Sequence, residues 1–313
     1  MKITFLGTGA GVPSKKRNVS SLVLHLENKQ NDLWMFDCGE STQQQFLHTS
    51  LKPGKVKRIF ISHLHGDHLY GLPGFLATRS FQGAKRPLTI YGPAGTEQFV
   101  KSALEISGTY LNYDCHFHEV GEGLIFNEDG MSVSAGKLDH GLPCFGFRIK
   151  EDDRPGALLM DKVEEAGISP GPWLKDLKER KTVTLYDGRT VHGEDFTGPP
   201  QPGKTVTILG DTRPCASAAA LAYKADLLVH EATFASGEES RAQKYFHSTS
   251  AQAAETALKA EAGALLLNHI SPRYTDAAPL VNEAVTIFPN TAAAEDFMTV
   301  KADRSIREKT FRN

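Results

Sequence analysis

Four cysteines in 313 residues, with no CxxC pair among them, leave little material for disulfides or for a thiolate metal site. Cys38, Cys115, Cys144 and Cys215 are scattered, and free thiols in a reducing compartment are the expectation. No apolar run approaches the roughly 18 residues that a membrane span needs. The opening stretch, MKITFLGTGAGVPSKKRN, has only a few apolar side chains before glycine and then charge, so the apolar core of a secretory leader is missing. A cytoplasmic location is therefore expected. Neither charge sign dominates: 35 Lys and Arg face 37 Asp and Glu, a net charge of −2. Bulk charge does not favour a nucleic acid, so any such contact has to come from local patches. Internal repeats and low-complexity tracts are absent too. The length suits a large core in one or two domains.

Against that plain background stands FISHLHGDHLYGL (60–72). His63, His65, Asp67 and His68 place four metal-capable side chains within six positions. A lone histidine is usually a surface or satisfied core residue. Neutral imidazoles and a carboxylate at this density are the donors that zinc and similar ions take. In an extended segment residues i and i+2 share a side, so His63 and His65 can hold one ion. Gly66 permits backbone angles other residues avoid, and a sharp turn there would swing Asp67 and His68 toward a second ion. One ion has no use for all four groups plus a catalytic opening, so a two-metal site is the sharper reading.

Several short apolar runs end in a residue able to bind metal or do chemistry. Ile59–Ser62 leads to His63, Met131–Val133 to His140, Val206–Gly210 to Asp211, Leu227–Val229 to His230 and Glu231, and Leu265–Asn268 to His269. Such runs read as buried strands, and sites gather beyond strand ends, so five distant segments are expected to converge on one cleft. The alternative is that each polar residue merely terminates its own strand. Helices are expected over Gly95–Ile106 and Ala251–Ala262, the second with Thr249 and Gln252 in capping-box spacing. Alternating strands and helices predict a layered α/β fold. From Arg154 to Lys204 the pattern changes to RPGALL, ISPGPW and TGPPQPGK, with Lys175, Lys178, Arg180 and Lys181 diluted by Asp176 and Glu179. This is read as an inserted arm, against the alternative of an ordinary solvated excursion. The tail from Lys301 is basic and expected to be loose.

The series His63-x-His65-x-Asp67-His68, then His140, Asp211 and His269, resembles the metallo-β-lactamase superfamily. Within it, FLGTGAGVPSKKRN (5–18), FDCGESTQQQFLHT (36–49), ILGDT (208–212), HEATF (230–234), FHST (246–249) and NHISPRY (268–274) resemble the ribonuclease Z family of tRNA 3′-processing endonucleases, in their short form. The histidine motif alone indicates only the superfamily; the HEAT, HST and Pro13-x-Lys15-x-Arg17-Asn18 segments are more specific. The resemblance covers about residues 1–300. It implies a four-layer αβ/βα sandwich spanning 1–313 as one domain, a tRNA-binding exosite arm at 154–204, two zinc ions per subunit and a homodimer. Carried over position by position, it implies that His63, His65 and His140 hold one ion and Asp67, His68 and His269 the other, with Asp211 bridging. It implies Asp67 as general base, His247 as proton donor to the leaving oxygen, and Glu231 orienting His247.

The chemistry fits those side chains. Hydrolysis of a phosphodiester needs a strong nucleophile at neutral pH, which metal ions provide, and a proton for the leaving oxygen, which histidine can deliver. His247 precedes a predicted helix start that favours phosphate, with Ser248 and Thr249 adding hydroxyls. Lys15, Lys16 and Arg17 are candidate contacts for an RNA 3′ end. Arg273 either meets a phosphate or pairs with an acid at a strand end. His230 is read as backing the ligands rather than joining them, and Cys38 as a small buried residue. The leading expectation is an endoribonuclease that removes the 3′ trailer from precursor tRNA. The alternatives are a hydrolase of small phosphodiesters or thioesters on the same scaffold, a di-iron oxidoreductase, and a non-catalytic RNA-binding protein.

Overall fold

The computed structural model describes residues 1–304 and 309–311, so much of the basic tail lies outside the described residues. Two sheets dominate. The first is built from β1 (Lys2–Gly7), β2 (Ser21–His25), β3 (Leu33–Phe36), β4 (Val56–Phe60), β5 (Leu88–Gly92) and β6 (Cys115–Glu119). The second begins with β7 (Gly123–Glu128), β8 (Met131–Leu138) and β9 (Cys144–Glu151). A short hairpin follows, β10 (Thr182–Thr184) and β11 (Thr190–His192). The second sheet then resumes with β12 (Thr205–Ile208), β13 (Leu227–Glu231), β14 (Leu265–Asn268) and β15 (Thr291–Ala293). The chain returns to the first sheet with β16 (Met298–Lys301) and β17 (Lys309–Phe311). The sheet orders are β17-β16-β1-β2-β3-β4-β5-β6 and β15-β14-β13-β12-β9-β8-β7.

The strands of the first sheet show how alternation creates layers. Met35 and Ile59 pack with Phe46 of α1 (Thr42–Leu47), Phe75 and Leu76 of α3 (Leu72–Phe81) and Val100 of α4 (Thr96–Ile106), with α2 (Gly66–Leu69) between α1 and α3 in sequence. Their neighbours Phe36 and Phe60 point the other way and meet Phe147 of the second sheet at ring separations of 5.9 and 5.3 Å. Trp34 joins this seam edge-on to Phe126, at 5.6 Å. On its far side the second sheet is covered by small residues of α7 (Ala216–Leu221) and α9 (Ser250–Lys259), and by Leu280 and Ala284 of α10 (Ala278–Val285). Helices, sheet, sheet, helices is a four-layer sandwich, and an aromatic seam fills its middle.

The chain divides into two compact units: the sandwich, and a second unit formed by Lys150–Lys204 with Asp129–Met131. The second unit thus starts slightly before the Arg154 boundary expected from composition. It contains α5 (Met160–Glu165), α6 (Trp173–Lys178) and the β10–β11 hairpin around its own small core of Val163, Ile168, Leu177, Leu185 and Phe196. Lys175 and Lys178 are exposed. Lys181 lies against Asp176 and Glu179, and Arg180 is 3.9 Å from Glu194. Among the described residues no helix is long and apolar enough to cross a membrane.

All five apolar runs form strands, and the helix expected near Ala251 starts at Ser250 with Thr249 as its cap. The Thr249 hydroxyl accepts from the Gln252 amide, and the Gln252 side chain accepts from the Thr249 amide. Removing this cap by Thr249→Ala should cost about 1 kcal/mol of stability. Urea denaturation measures it, and an unchanged midpoint would show that the tertiary contacts of α9 make the cap redundant.

Candidate metal centre and its proton donor

The segment after β4 leaves the first sheet and turns at once. Gly66 begins the single turn α2 with an ordinary backbone angle, so the special angles expected of it are not used. A Cβ there would instead meet the ring of Tyr70. Close approach is required at Gly39 and Gly71: a Cβ on Gly71 would lie 1.9 Å from the Gly39 carbonyl oxygen, and one on Gly39 would lie 2.3 Å from that of Asp67. This contact lets the Cys38 amide bond the His68 carbonyl and the Gly71 amide bond the Cys38 carbonyl, which holds the turn against the end of β3.

Seven expected ligands come together from both sheets. His63 Nε2 is 3.0 Å from His65 Nδ1, which is 3.1 Å from His140 Nε2. His68 Nε2 is 3.3 Å from His269 Nε2, which is 3.2 Å from Asp67 Oδ2. Asp211 Oδ2 lies between the two groups, 3.6 Å from His63 Nε2, 3.4 Å from His68 Nε2 and 3.3 Å from His269 Nε2. Within each of the sets His63-His65-His140, His63-His68-Asp211 and Asp67-His68-His269, the donor atoms lie within 4.8 Å of one another.

The hydrogen bonds around this cluster assign its protons. His68 Nδ1 is 2.8 Å from Asp37 Oδ2, a pure acceptor, and so carries hydrogen. The Ser62 hydroxyl donates to Asp37 at 2.9 Å, so it accepts from His63 Nδ1 at 3.0 Å. The Thr233 hydroxyl donates to Glu231 at 2.7 Å, so it accepts from His269 Nδ1 at 2.9 Å. His140 Nδ1 donates to the Phe246 carbonyl at 2.9 Å. In their neutral form four imidazoles therefore turn Nε2 lone pairs inward, beside two carboxylates. A buried cavity of acceptors without donors is unstable unless cations fill it, and a hydrogen-bonded outer nitrogen is the usual companion of a metal-bound histidine. The residues fit divalent metal ions of the zinc type, and the cluster is a metal-binding site in its chemistry.

The charges agree. Burial opposes ionisation of Asp211, but the imidazoles of His269 and His68 outweigh it and hold the carboxyl well below its usual range. Burial likewise opposes a charge on His68, yet Asp211, Asp37 and Asp67 raise its proton affinity well above normal. This spot stabilises a positive charge.

Beside the cluster stands a second pair. Glu231, the last residue of β13, is buried and accepts from the amides of Thr212, Thr233 and Ser248, from the Thr233 hydroxyl and from His247 Nδ1 at 2.9 Å. His247 Nδ1 is also 3.9 Å from Asp211 Oδ2. Burial works against protonating His247, but the Glu231 carboxylate prevails and lifts its pKa to about 9. Glu231 thus favours the charged form of His247, with Nε2–H facing away from Glu231.

The expected substrate contacts fare differently. Ser248 and Thr249 are wholly buried; Ser248 donates its hydroxyl to the Thr212 carbonyl at 2.6 Å and Thr249 caps α9, so they shape the turn and are not free to meet a substrate. Arg17 is half-buried and bonds the Thr8 hydroxyl and the Ala294 carbonyl at 2.6 and 2.7 Å. Lys15 and Lys16 are both exposed, and Lys16 reaches the Thr275 carbonyl at 3.2 Å. Arg273 pairs with Glu238 at 2.9 Å, the strand-end alternative weighed for it. His230 is buried with Nδ1 on the Glu231 carbonyl, and burial pushes the Cys38 thiol pKa up, consistent with an inert side chain. Sequence reasoning missed Asp37, which receives the Ser62 amide, the Ser62 hydroxyl and His68 Nδ1. It also missed Thr233, and the Gly11 amide that donates to Asp67 Oδ2 at 2.7 Å. The FDCGE stretch was the available sign of Asp37, but nothing local shows where that carboxylate points.

Solved structures with this fold define the class. The metallo-β-lactamase fold protein YhfI from Bacillus subtilis superposes with a TM-score of 0.67 at 21% identity, over 95% of this chain and 97% of that one. The short form of human tRNase Z superposes with a TM-score of 0.71 at 32% identity, over 96% and 99%. The fold is that of the metallo-β-lactamases. A family profile described as anti-Pycsar protein Apyc1 matches residues 1–137. Ribonuclease Z of Bacillus licheniformis is 54% identical over 299 residues, 95% of this chain and 97% of that one, and ribonuclease Z of Geobacillus kaustophilus is 51% identical over 306 residues, 97% and 100%. The chain belongs to the ribonuclease Z family.

Replacing Asp37 by Ala removes the acceptor that sets the Ser62, His63 and His68 orientations. Metal affinity, read by chelator competition on the purified protein, should fall by about 10–100-fold. An affinity equal to that of the unaltered protein would show that the imidazoles hold their orientation without it.

Proposed function

We propose that the protein is a metal-dependent endoribonuclease that cleaves precursor tRNA after its 3′ end, releasing the trailer. The observation that carries this reading is the His247–Glu231 pair set 3.9 Å from Asp211, at the edge of the acceptor cavity, in a chain of the ribonuclease Z family. A hydrolytic metal site alone needs no such pair. A leaving group as poor as a ribose 3′ oxygen does, because it must be protonated as it departs.

His63, His65 and His140 would hold one zinc ion and Asp67, His68 and His269 a second, with Asp211 within reach of both donor sets. Bound there, such ions supply a water nucleophile at neutral pH and neutralise charge on the phosphoryl oxygens. The protein's own groups do the rest. Asp67, aimed by the Gly11 amide and His269, accepts the proton of the attacking water. As the new P–O bond forms on the trailer side, the bond to the tRNA 3′ oxygen breaks, and His247 gives its Nε2 proton to that oxygen. The products are a 3′-hydroxyl on the tRNA and a 5′-phosphate on the trailer. Glu231 keeps His247 charged and fixes which nitrogen faces the substrate.

Selection of one linkage among many identical ones needs contacts far from it. The second compact unit, with exposed Lys175 and Lys178, is read as an arm that grips the tRNA body, and a homodimer as the form in which it is presented to the active site. The four free cysteines support a cytoplasmic location.

The deciding experiment is cleavage of a 3′-extended tRNA transcript by the zinc-loaded protein, with product ends mapped. A single cut leaving 3′-hydroxyl and 5′-phosphate ends is expected; hydrolysis of a small phosphodiester with the transcript left intact would overturn the tRNA reading. His247→Ala should retain its metal and lose about 10²–10⁴-fold in kcat on RNA, with less lost on a nitrophenyl ester, whose leaving oxygen needs no proton. An RNA rate equal to that of the unaltered protein would remove His247 from the reaction. Exchanging the arm for a short Gly-Ser linker should abolish efficient tRNA cleavage, flatten the salt dependence of tRNA binding and spare the small ester. Equal losses on both substrates would mean that the arm only supports the fold.

A further inference from the structure

The loop after β12 reads Gly210-Asp211-Thr212-Arg213-Pro214, and Arg213 has no part in the chemistry above. Its surroundings are unusual. The guanidinium grips Asp139 with two bonds, Nε to Oδ2 at 3.1 Å and Nη2 to Oδ1 at 2.9 Å. The Arg213 amide bonds the Asp139 carbonyl at 2.9 Å as well. The Arg213 Cζ lies 4.2 Å from the ring centroid of Phe246, and Nη1 reaches the Gln243 carbonyl at 3.5 Å. Asp139 immediately precedes His140, and Phe246 immediately precedes His247.

Phe246 ends the helix α8 (Glu239–Tyr245) in the left-handed conformation, φ 60°, common for a residue that closes a helix, and the His247 amide bonds back to the Ala242 carbonyl at 2.9 Å. Two further contacts tie this helix end to the metal site. The guanidinium covers the Phe246 ring, and the Phe246 carbonyl accepts from His140 Nδ1 at 2.9 Å. The peptide that leads into the proton donor is therefore bonded directly to a metal-site histidine. The His140 and His247 ring centroids are 5.3 Å apart. An exposed ion pair would contribute little. This one is bidentate, its arginine side chain is only 22% exposed, and it is stacked on a ring, the geometry in which a planar fork differs from a simple charge.

We propose that Arg213 is a positioning residue that clamps the Asp139–His140 and Phe246–His247 segments together, and so fixes the distance between the metal centre and the group that protonates the leaving oxygen. The clamp rests on the reading of His247 as proton donor, but it also acts on His140 and can be measured without catalysis. A displacement of about 1 Å at such a site is enough to cost about 10²-fold in rate.

The test compares Arg213→Ala, Arg213→Lys, Asp139→Ala and the Arg213→Ala/Asp139→Ala double variant in the full-length protein. Zinc affinity is read by chelator competition, and kcat and KM on a 3′-extended tRNA and on a nitrophenyl phosphodiester. Arg213→Ala should weaken zinc binding by about 10–100-fold. It should lower kcat on tRNA by about 10²-fold with KM unchanged, and harm the nitrophenyl ester less. Lysine keeps the charge but not the fork, so it should not rescue, and the double variant should be no worse than either single one. Native zinc affinity and kcat in a variant that only melts earlier would overturn the proposal, as would full rescue by lysine. If Arg213→Ala does not fold, Arg213→Lys and Asp139→Ala decide the same point. If the unaltered protein does not cut tRNA, the functional reading fails, while the affinity comparison still decides the clamp.

Discussion

The molecule is organised around one electrostatic demand: lone pairs of three buried imidazoles, His63, His68 and His269, and two carboxylates face one another across 3.2–3.6 Å. Such a cluster repels itself unless positive charge enters it. Its geometry survives because four of its five histidines, His63, His68, His140 and His269, give their outer proton to a specific acceptor. Asp37, Ser62, Thr233 and the Phe246 carbonyl do this work, and each is fixed by further bonds. Removing an outer acceptor therefore changes which nitrogen is bare, and with it what the cavity can hold.

The sandwich supplies the rigidity that this demand requires. The site draws on strand ends of both sheets, so its dimensions depend on how the sheets pack. The seam between them is filled by large rings, Trp34, Phe36, Phe60, Phe126 and Phe147, whose shapes leave little freedom to slide. Two residues of the site, Asp37 and His269, have left-handed backbones, with φ of 55° and 52°. Both are held by side-chain bonds, Asp37 to Ser62 and His68, and His269 to Thr233, which is how a fold maintains conformations that the local chain disfavours.

The HEAT and HST segments show how two sequence-distant pieces become one device. Glu231 ends a parallel strand, and His247 sits in the turn before α9. Ser248 and Thr249 shape that turn from inside, so the hydroxyls that looked like phosphate donors instead place the imidazole. Arg17 is comparable: bonded to Thr8 and Ala294, it anchors the loop that exposes Lys15. In both places a polar residue near a functional one serves its position rather than its substrate.

What the sequence determined by itself was whatever depends on short-range spacing. The His63–His68 cluster was legible because its donors are neighbours in the chain. The strands before His63, His140, Asp211, Glu231 and His269 were legible because burial on both faces leaves continuous apolar runs. The Thr249 cap was legible because a capping box is a four-residue pattern. Only the tertiary structure decided which way a polar side chain faces. Asp37 and Thr233 looked like ordinary residues until packing placed them behind His68 and His269, and Ser248 and Arg17 looked available until packing enclosed them. Even the need for Gly66 lies in the ring of Tyr70 and not in its own backbone angles. Hydrogen-bond partners are set by the register between distant strands, and a one-residue shift reverses every one of them, so no local pattern can carry that information.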